Sequence, residues 1–249
     1  MQIVIIGSGN VAYHMAKAFS LKKIPLMQIF GRNGEELKKI SEELNVPYST
    51  EHLEDADLYI ICVSDHSVEG VSKIITKKDC LVAHTSGSLP KEILAGEYRK
   101  SSFYPLQTFS KSKHLEYEKI PFFIETENES DQKLLFDLAF RISENVMESN
   151  HEKRKYIHLT AVFACNFVNH LFARAKEISD SQQIPFDYFF PLIDETVKKI
   201  YEMEPKAAQT GPAVRNDKRV LELHEQLLKD ESLEIYKTMN HSIQKMYEL

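Results

Sequence analysis

Cysteine is scarce in this chain: Cys62, Cys80 and Cys165 lie far apart in 249 residues. That spacing excludes a disulfide framework and the paired-cysteine zinc patterns, and no metal site is expected. An excess of positive charge is missing too. Lysine and arginine number 31 against 37 acidic residues, a formal net charge of −6. With no basic stripe suited to a phosphate backbone, nucleic acid is excluded as a partner. Long hydrophobic runs are also absent. The longest, around 159–171, is interrupted by Asn166, Asn169 and His170 and is too short to span a bilayer. The first residues carry no basic n-region or cleavage site and so do not read as a signal peptide. These absences predict a soluble protein of the cytoplasm with no membrane partner. Its 43% hydrophobic content is ample for a core.

What is present begins at residue 3. The β-branched run Ile3-Val4-Ile5-Ile6 leads into Gly7-Ser8-Gly9-Asn10-Val11-Ala12 and then into helix-like sequence over 11–19. Strand, glycine turn and helix in that order form the dinucleotide-binding fingerprint. Gly7 suits the tight turn, Gly9 lets the backbone approach a pyrophosphate, and Ala12 allows close helix–strand packing. The free N–H groups at the helix start face the phosphates.

The alternation continues. Strand-like runs at 24–30, 58–63 and 81–83 are separated by helix-like segments at 35–44 and 67–75. Outer strands are expected at 121–124 and 146–147, flanking a helix over 132–142. Strands alternating with helices of this length require crossover connections, so the sequence predicts an α/β fold with a Rossmann-type, doubly wound parallel sheet over 1–150. Beyond 151 only helical periodicity is visible, and 151–249 is expected to be an all-helical second domain. One long helix is read over 155–180, spanning roughly 40 Å at 1.5 Å per residue. Its apolar residues Leu159, Val162, Phe163, Phe167 and Leu171 cover more surface than the remaining helices easily hide. A homodimer through this half is therefore expected. Pro185 is expected to open the next helix, to about 201, followed by a loop over 204–216 and two closing helices.

Which coenzyme binds is read at the end of the second strand. NAD-binding sequences place an acid there, and NADP-binding ones an arginine near the 2′-phosphate. Here stands Gly31-Arg32-Asn33, with no acid before Glu35. Arg32 can fork onto a phosphate and Asn33 can donate to it, which predicts NADP. Ser64 and Asp65 follow the 58–63 strand and are expected beside the cofactor, Asp65 alternatively capping the next helix. His84-Thr85-Ser86 follow the 81–83 strand at the same crevice edge, where small hydroxyl residues suit approach to a nicotinamide ring. A helix cap ahead of Leu89-Pro90 is their other reading.

These motifs, together with Phe103-Tyr104-Pro105-Leu106-Gln107-Thr108-Phe109, His158-Leu159-Thr160-Ala161 and Gly211-Pro212-Ala213-Val214-Arg215-Asn216-Asp217, resemble one family along essentially the whole chain. It comprises Rossmann-like proteins carrying the helical domain of unknown function 2520. The chain is similar, more distantly, to pyrroline-5-carboxylate reductase and the deazaflavin-dependent NADP oxidoreductases. The resemblance implies an NADP-binding fold with a helical dimerisation domain and an oxidoreductase activity without a settled reaction. Related β-hydroxyacid dehydrogenases carry a lysine four residues before an asparagine on the first interdomain helix. This sequence departs from them, with Val162 four residues before Asn166.

Hydride transfer needs a group that protonates the product or polarises the acceptor. The candidates are His158, Asn166, His84, Gln107 and Arg215. Histidine changes charge near neutrality, which marks His158 as an acid. Asn166 sits in an apolar run, where an unpaired buried amide costs about 1–3 kcal/mol. These two are read as catalytic. Gln107 and Arg215 are read as binding the substrate, a small imine or carbonyl compound expected between the domains. Asp217 is expected to cap the helix from Lys218. The alternative function is a non-catalytic NADP(H) sensor.

Overall fold

Branched side chains pack well on a pleated surface. Four in succession, Ile3–Ile6, form strand β1 in the computed structural model, which describes residues 1–249. All four are buried, as expected of a strand covered on both faces. The same holds for β4 (Leu58–Ile61) and β5 (Leu81–His84). They join β2 (Gln28–Phe30), β3 (Tyr48–Ser49), β6 (Arg99–Pro105), β7 (Phe122–Glu125) and β8 (Val146–Glu148) in one eight-stranded sheet. The strand order is β3-β2-β1-β4-β5-β6-β7-β8. It reverses direction between β1 and β4, the point at which open α/β sheets bind ligands.

Alternate residues of the central strands feed two cores. Ile3, Ile5 and Leu58 pack with Phe19 of α1 (Asn10–Leu21) and Leu37 of α2 (Gly34–Leu44). Val4, Ile6 and Ile61 pack on the other face with Val68 of α3 (Asp65–Ser72). At two of the helix starts asparagines satisfy free N–H groups: Asn33 caps α2 and Asn128 caps α4 (Glu129–Phe140).

The sheet is parallel except where β6 meets β7, which run antiparallel. β6 itself is not legible in the sequence. Ser101 and Ser102 interrupt its hydrophobic pattern, yet both are fully buried, and Ser101 donates to the Val82 carbonyl.

The chain divides into two compact units, Met1–Asn166 and Phe167–Leu249. The first keeps the helix that follows the sheet, α5 (His151–Ala161), because Arg154 anchors it. That side chain is fully buried, with Nη1 donating to Glu125 Oε2 at 2.5 Å and Nη2 to the Leu89 carbonyl at 2.6 Å. The single helix expected over 155–180 is instead three segments. α5 starts earlier, capped by Asn150, and a π-helical stretch, Val162–Phe167, separates it from α6 (Val168–Ser181).

The second unit contains α6, α7 (Phe190–Glu202), the short α8 (Pro205–Ala208), α9 (Lys218–Leu227) and α10 (Asp230–Met246). Pro185 precedes a 3₁₀ turn, Phe186–Phe189, and it is Pro191 that occupies the first turn of α7. Asp217 caps α9 as the sequence predicts, accepting from the Val220 N–H. Its buried side chains are Ser179, Ala213 and Leu221. An apolar groove of about 540 Å³, lined by Leu171, Phe172, Ile178, Phe186, Leu192 and Val197, lies along α6 and α7. No helix of the chain is long and apolar enough to cross a membrane.

Candidate functional site

The two turn glycines of the fingerprint differ in what constrains them. Gly7 has φ +139°, and a Cβ there would lie 2.3 Å from the Cys62 carbonyl oxygen, so the fold itself demands glycine. Gly9 is the N-cap of α1 at φ −78°, and a Cβ there would meet nothing within 4 Å. Its bareness serves no packing need. It borders a cleft of about 720 Å³ whose lining includes Ser8, Gly31, Arg32, Asn33 and Ser64. Asn10 and Val11 open α1, whose first N–H groups have no intrahelical partner, and Ala12 is buried against the turn. The cleft therefore offers backbone donors, the positive end of a helix and room for an extended ligand. An Asn10 Nδ2 to Phe109 carbonyl bond of 2.9 Å ties the turn to the loop after β6.

Arg32 is exposed at the end of β2. Asn33 Oδ1 accepts from the Glu36 N–H at 3.2 Å, so its carbonyl is committed to capping α2 while its amide nitrogen stays available. After β4, the N-cap position of α3 belongs to Ser64 rather than Asp65. Ser64 Oγ lies 3.1 Å from Ser67 Oγ, and Asp65 is exposed in the first helical turn.

Beyond β5, Thr85 Oγ1 donates to the Ile61 carbonyl at 3.2 Å. Ser86 Oγ accepts from the N–H groups of Ser88 and Leu89, both at 3.1 Å, which holds the turn; the N-cap of the 3₁₀ turn that follows, Lys91–Ile93, is Pro90, so Ser86 caps no helix. His84 is fully buried, its Nδ1 accepting from the Ser86 N–H at 3.1 Å. Burial, aided by the Arg154 charge, pushes its pKa down to about 3, so the ring is neutral. A neutral, enclosed imidazole shapes the 84–89 turn and does not reach the cleft.

Farther along the same sheet edge the structure brings together two side chains 54 residues apart. Tyr104 and His158 share a hydrogen bond of 3.0 Å between the phenol oxygen and Nδ1. Their rings meet edge to face at 6.1 Å. Gly87 makes room for them, since a Cβ on it would fall 2.8 Å from Tyr104 Cζ and 2.9 Å from His158 Cβ. Tyr104 stands near the end of β6. Burial pushes its pKa up to about 12, so the hydroxyl keeps its proton. His158 lies one helical turn beyond Arg154 on the same face of α5, and the Arg154–Glu125 pair thereby sets its position. The sequence reading passed over Arg154 and Glu125. The four-residue spacing of Arg154 and His158 was the available signal.

Because β1, β4, β5 and β6 are consecutive neighbours, Gly7, Ser64, Thr85 and Tyr104 mark successive points along one edge. Three strand spacings, roughly 14 Å, separate the first from the last. A phosphate-binding turn at one end and a protonated phenol paired with an imidazole at the other can hold an extended cofactor and protonate what it reduces. Of the other residues read from sequence, Asn166 is exposed in the π-helical stretch, so the burial cost that marked it does not apply. Gln107 is exposed and accepts from its neighbour Thr108 N–H at 2.7 Å. Arg215 is exposed in the second unit.

Residues 2–85 match the family described as NADP oxidoreductase, coenzyme F420-dependent, and residues 120–243 match the domain of unknown function 2520. A Bacteroides fragilis protein described as an NADP oxidoreductase is 38% identical, over 98% of each chain, with a TM-score of 0.92. The chain belongs to this NADP oxidoreductase family. The oxidoreductase also shares its fold with a 1-pyrroline-5-carboxylate reductase of Streptococcus pyogenes, at 17% identity, 98% coverage of both chains and a TM-score of 0.62. A reductive aminase of Aspergillus terreus, solved with NADPH and ethyl-5-oxohexanoate, is 10% identical. It matches over 98% of this chain and 94% of its own, with a TM-score of 0.71. Among curated proteins none matches the oxidoreductase in sequence.

Proposed function

We propose that this oxidoreductase moves a hydride between NADP(H) and a small imine or carbonyl compound, with Tyr104 and His158 handling the proton. The 3.0 Å bond between these two side chains, on the sheet edge that begins at the Gly7 turn, carries the reading. In it, the backbone amides of residues 7–12 hold the diphosphate, Arg32 and the Asn33 amide face the adenosine 2′-phosphate, and Ser64, Asp65, Thr85 and Ser86 line the path to the nicotinamide. Bound NADPH supplies the hydride, and all else falls to the chain. As the substrate carbon gains hydride, its nitrogen or oxygen takes the Tyr104 proton. The phenolate recovers a proton from His158 Nδ1, and the imidazole is reprotonated from water. Asn166 and Gln107 are proposed as polar contacts to the substrate.

A second copy of the chain is proposed to cover the helical unit, whose Leu192, Ile200 and Tyr201 are more than half exposed. The cytoplasm is the proposed location.

The test is NADPH oxidation with pyrroline-5-carboxylate and a panel of keto acids with and without amines. Tyr104→Phe is expected to lower kcat by about a hundredfold while NADPH affinity changes by less than about twofold. Full turnover by that variant, or failure of the wild type to bind NADPH, would overturn the proposal.

A further inference from the structure

We infer that Lys111 sets the coenzyme preference by cancelling the charge of Glu36, a carboxylate that would otherwise repel the adenosine 2′-phosphate. The inference rests on the coenzyme reading above and concerns a residue from a distant loop. Glu36 is in the first turn of α2, and its N–H bonds to Asn33 Oδ1 at 3.2 Å, so it belongs to the same turn as Arg32. An acid at this turn is the feature that favours an unphosphorylated ribose. Here both its oxygens are taken. Lys111 Nζ lies 2.5 Å from Oε2, and Lys39 Nζ lies 2.6 Å from Oε1.

Lys111 Nζ also donates to the Ser8 carbonyl at 2.9 Å. One ammonium thus bridges the glycine turn after β1 and the first turn of α2, the two turns that bracket the adenosine half of a dinucleotide. Its loop is held in place. Asn10 donates to the Phe109 carbonyl, His14 Nε2 bonds to the Ser110 carbonyl at 2.9 Å, and the rings of His14 and Phe109 lie 5.3 Å apart. Lys111 is therefore aimed at Glu36 by fixed neighbours, unlike a surface pair that forms and breaks at will. The bonds from Lys111 and Lys39 lower the Glu36 pKa to about 2, so the carboxylate is charged at every working pH and must be matched. Glu35 stands in the same turn and also acts on Lys39, so without Lys111 two carboxylates face one ammonium, and a 2′-phosphate would meet that residual negative charge. A ribose hydroxyl would not be penalised.

The test measures Kd for NADPH and NADH by titration calorimetry, at low and raised salt. The variants are Lys111→Met, Lys111→Arg, Glu36→Gln and the Lys111→Met/Glu36→Gln double. Lys111→Met is expected to weaken NADPH binding by about tenfold and NADH binding by less than about twofold, the difference shrinking with salt. Lys111→Arg and the double variant are expected to bind NADPH within about threefold of wild type, since each restores charge balance. Glu36→Gln alone, which leaves the loop intact, is expected to match or exceed wild-type affinity for NADPH. Equal weakening of both coenzymes by Lys111→Met would overturn the inference, making Lys111 a tether on Ser8. So would a double variant that does not recover, or a Glu36→Gln variant that loses NADPH. Absence of binding by the wild type would remove the coenzyme reading as well, whereas tight NADPH binding with unchanged preference in Lys111→Met would sink this inference alone.

Discussion

The unit over 1–166 buries Ile3, Val4, Ile5, Phe19, Tyr59 and Phe103 almost completely and packs both faces of its sheet. The unit over 167–249 buries Ser179, Ala213 and Leu221 and leaves Leu192, Ile200, Tyr201 and Leu227 more than half exposed. Both are rich in apolar side chains, so composition does not separate them. What separates them is whether the chain itself can cover its apolar surface. A sheet flanked by helices closes its own core, whereas five helices with wide apolar stripes do not. The ionisable groups divide the same way. Arg154, His84 and His14 are buried in the first unit, and the second buries no charged side chain.

The sharpest way to break this contrast is to charge the exposed helical surface. Leu192→Glu combined with Ile200→Glu is expected to convert a dimer to monomers and to strip the helical unit of most of its protection from hydrogen exchange, leaving the first unit folded. Light scattering and exchange mass spectrometry would show this. A wild type that is monomeric at micromolar concentration, with both units equally protected, would end the comparison.

Within the first unit the glycine turn separates folding from binding. Gly7→Ala is expected to cost about 2–4 kcal/mol, because the backbone is left-handed and the Cβ meets the Cys62 carbonyl. Gly9→Ala is expected to cost less than about 1 kcal/mol and yet weaken NADPH by more than about tenfold. Urea unfolding and coenzyme titration of both variants check this. Similar stability losses would show that both glycines serve the fold.

The smallest effect is on pH. The unfolded His84 imidazole binds a proton below its ordinary value of 6.5, whereas the folded one resists until about 3. Burial also lowers the His14 pKa. The unfolded state therefore holds more protons in this window, and stability must fall as pH drops below 6.5. A slope of about 1 kcal/mol per pH unit is expected for the first unit, reduced in His84→Gln. Urea midpoints down to about pH 5, above the range where carboxylates titrate, would measure it. An unchanged slope in the variant would show that His84 is not its source.

Legibility followed the range of the interactions involved. The β1–turn–α1 unit was readable because its determinants are neighbours in sequence. So were β4, β5 and the Asp217 cap. β6 was not, because Ser101 and Ser102 are polar yet buried, and only the tertiary fold gives Ser101 its partner, the Val82 carbonyl on the neighbouring strand. The break at Val162–Phe167 left no mark in the helical periodicity. In the site, the glycine turn and the place of Arg32 at the end of β2 could be read, but His84 was assigned to the crevice and is enclosed, and Asn166, read as catalytic on the cost of burying its amide, is exposed.

By itself the sequence determined the alternating α/β order, the glycine turn and the change to helices after the sheet, since propensity and periodicity act over a few residues. Tertiary structure alone decided that Tyr104 meets His158, that Arg154 is locked to Glu125, and that Lys111 spans two turns to reach Glu36. Those pairings depend on which strand ends lie side by side, and strand order is set by the packing of the whole sheet.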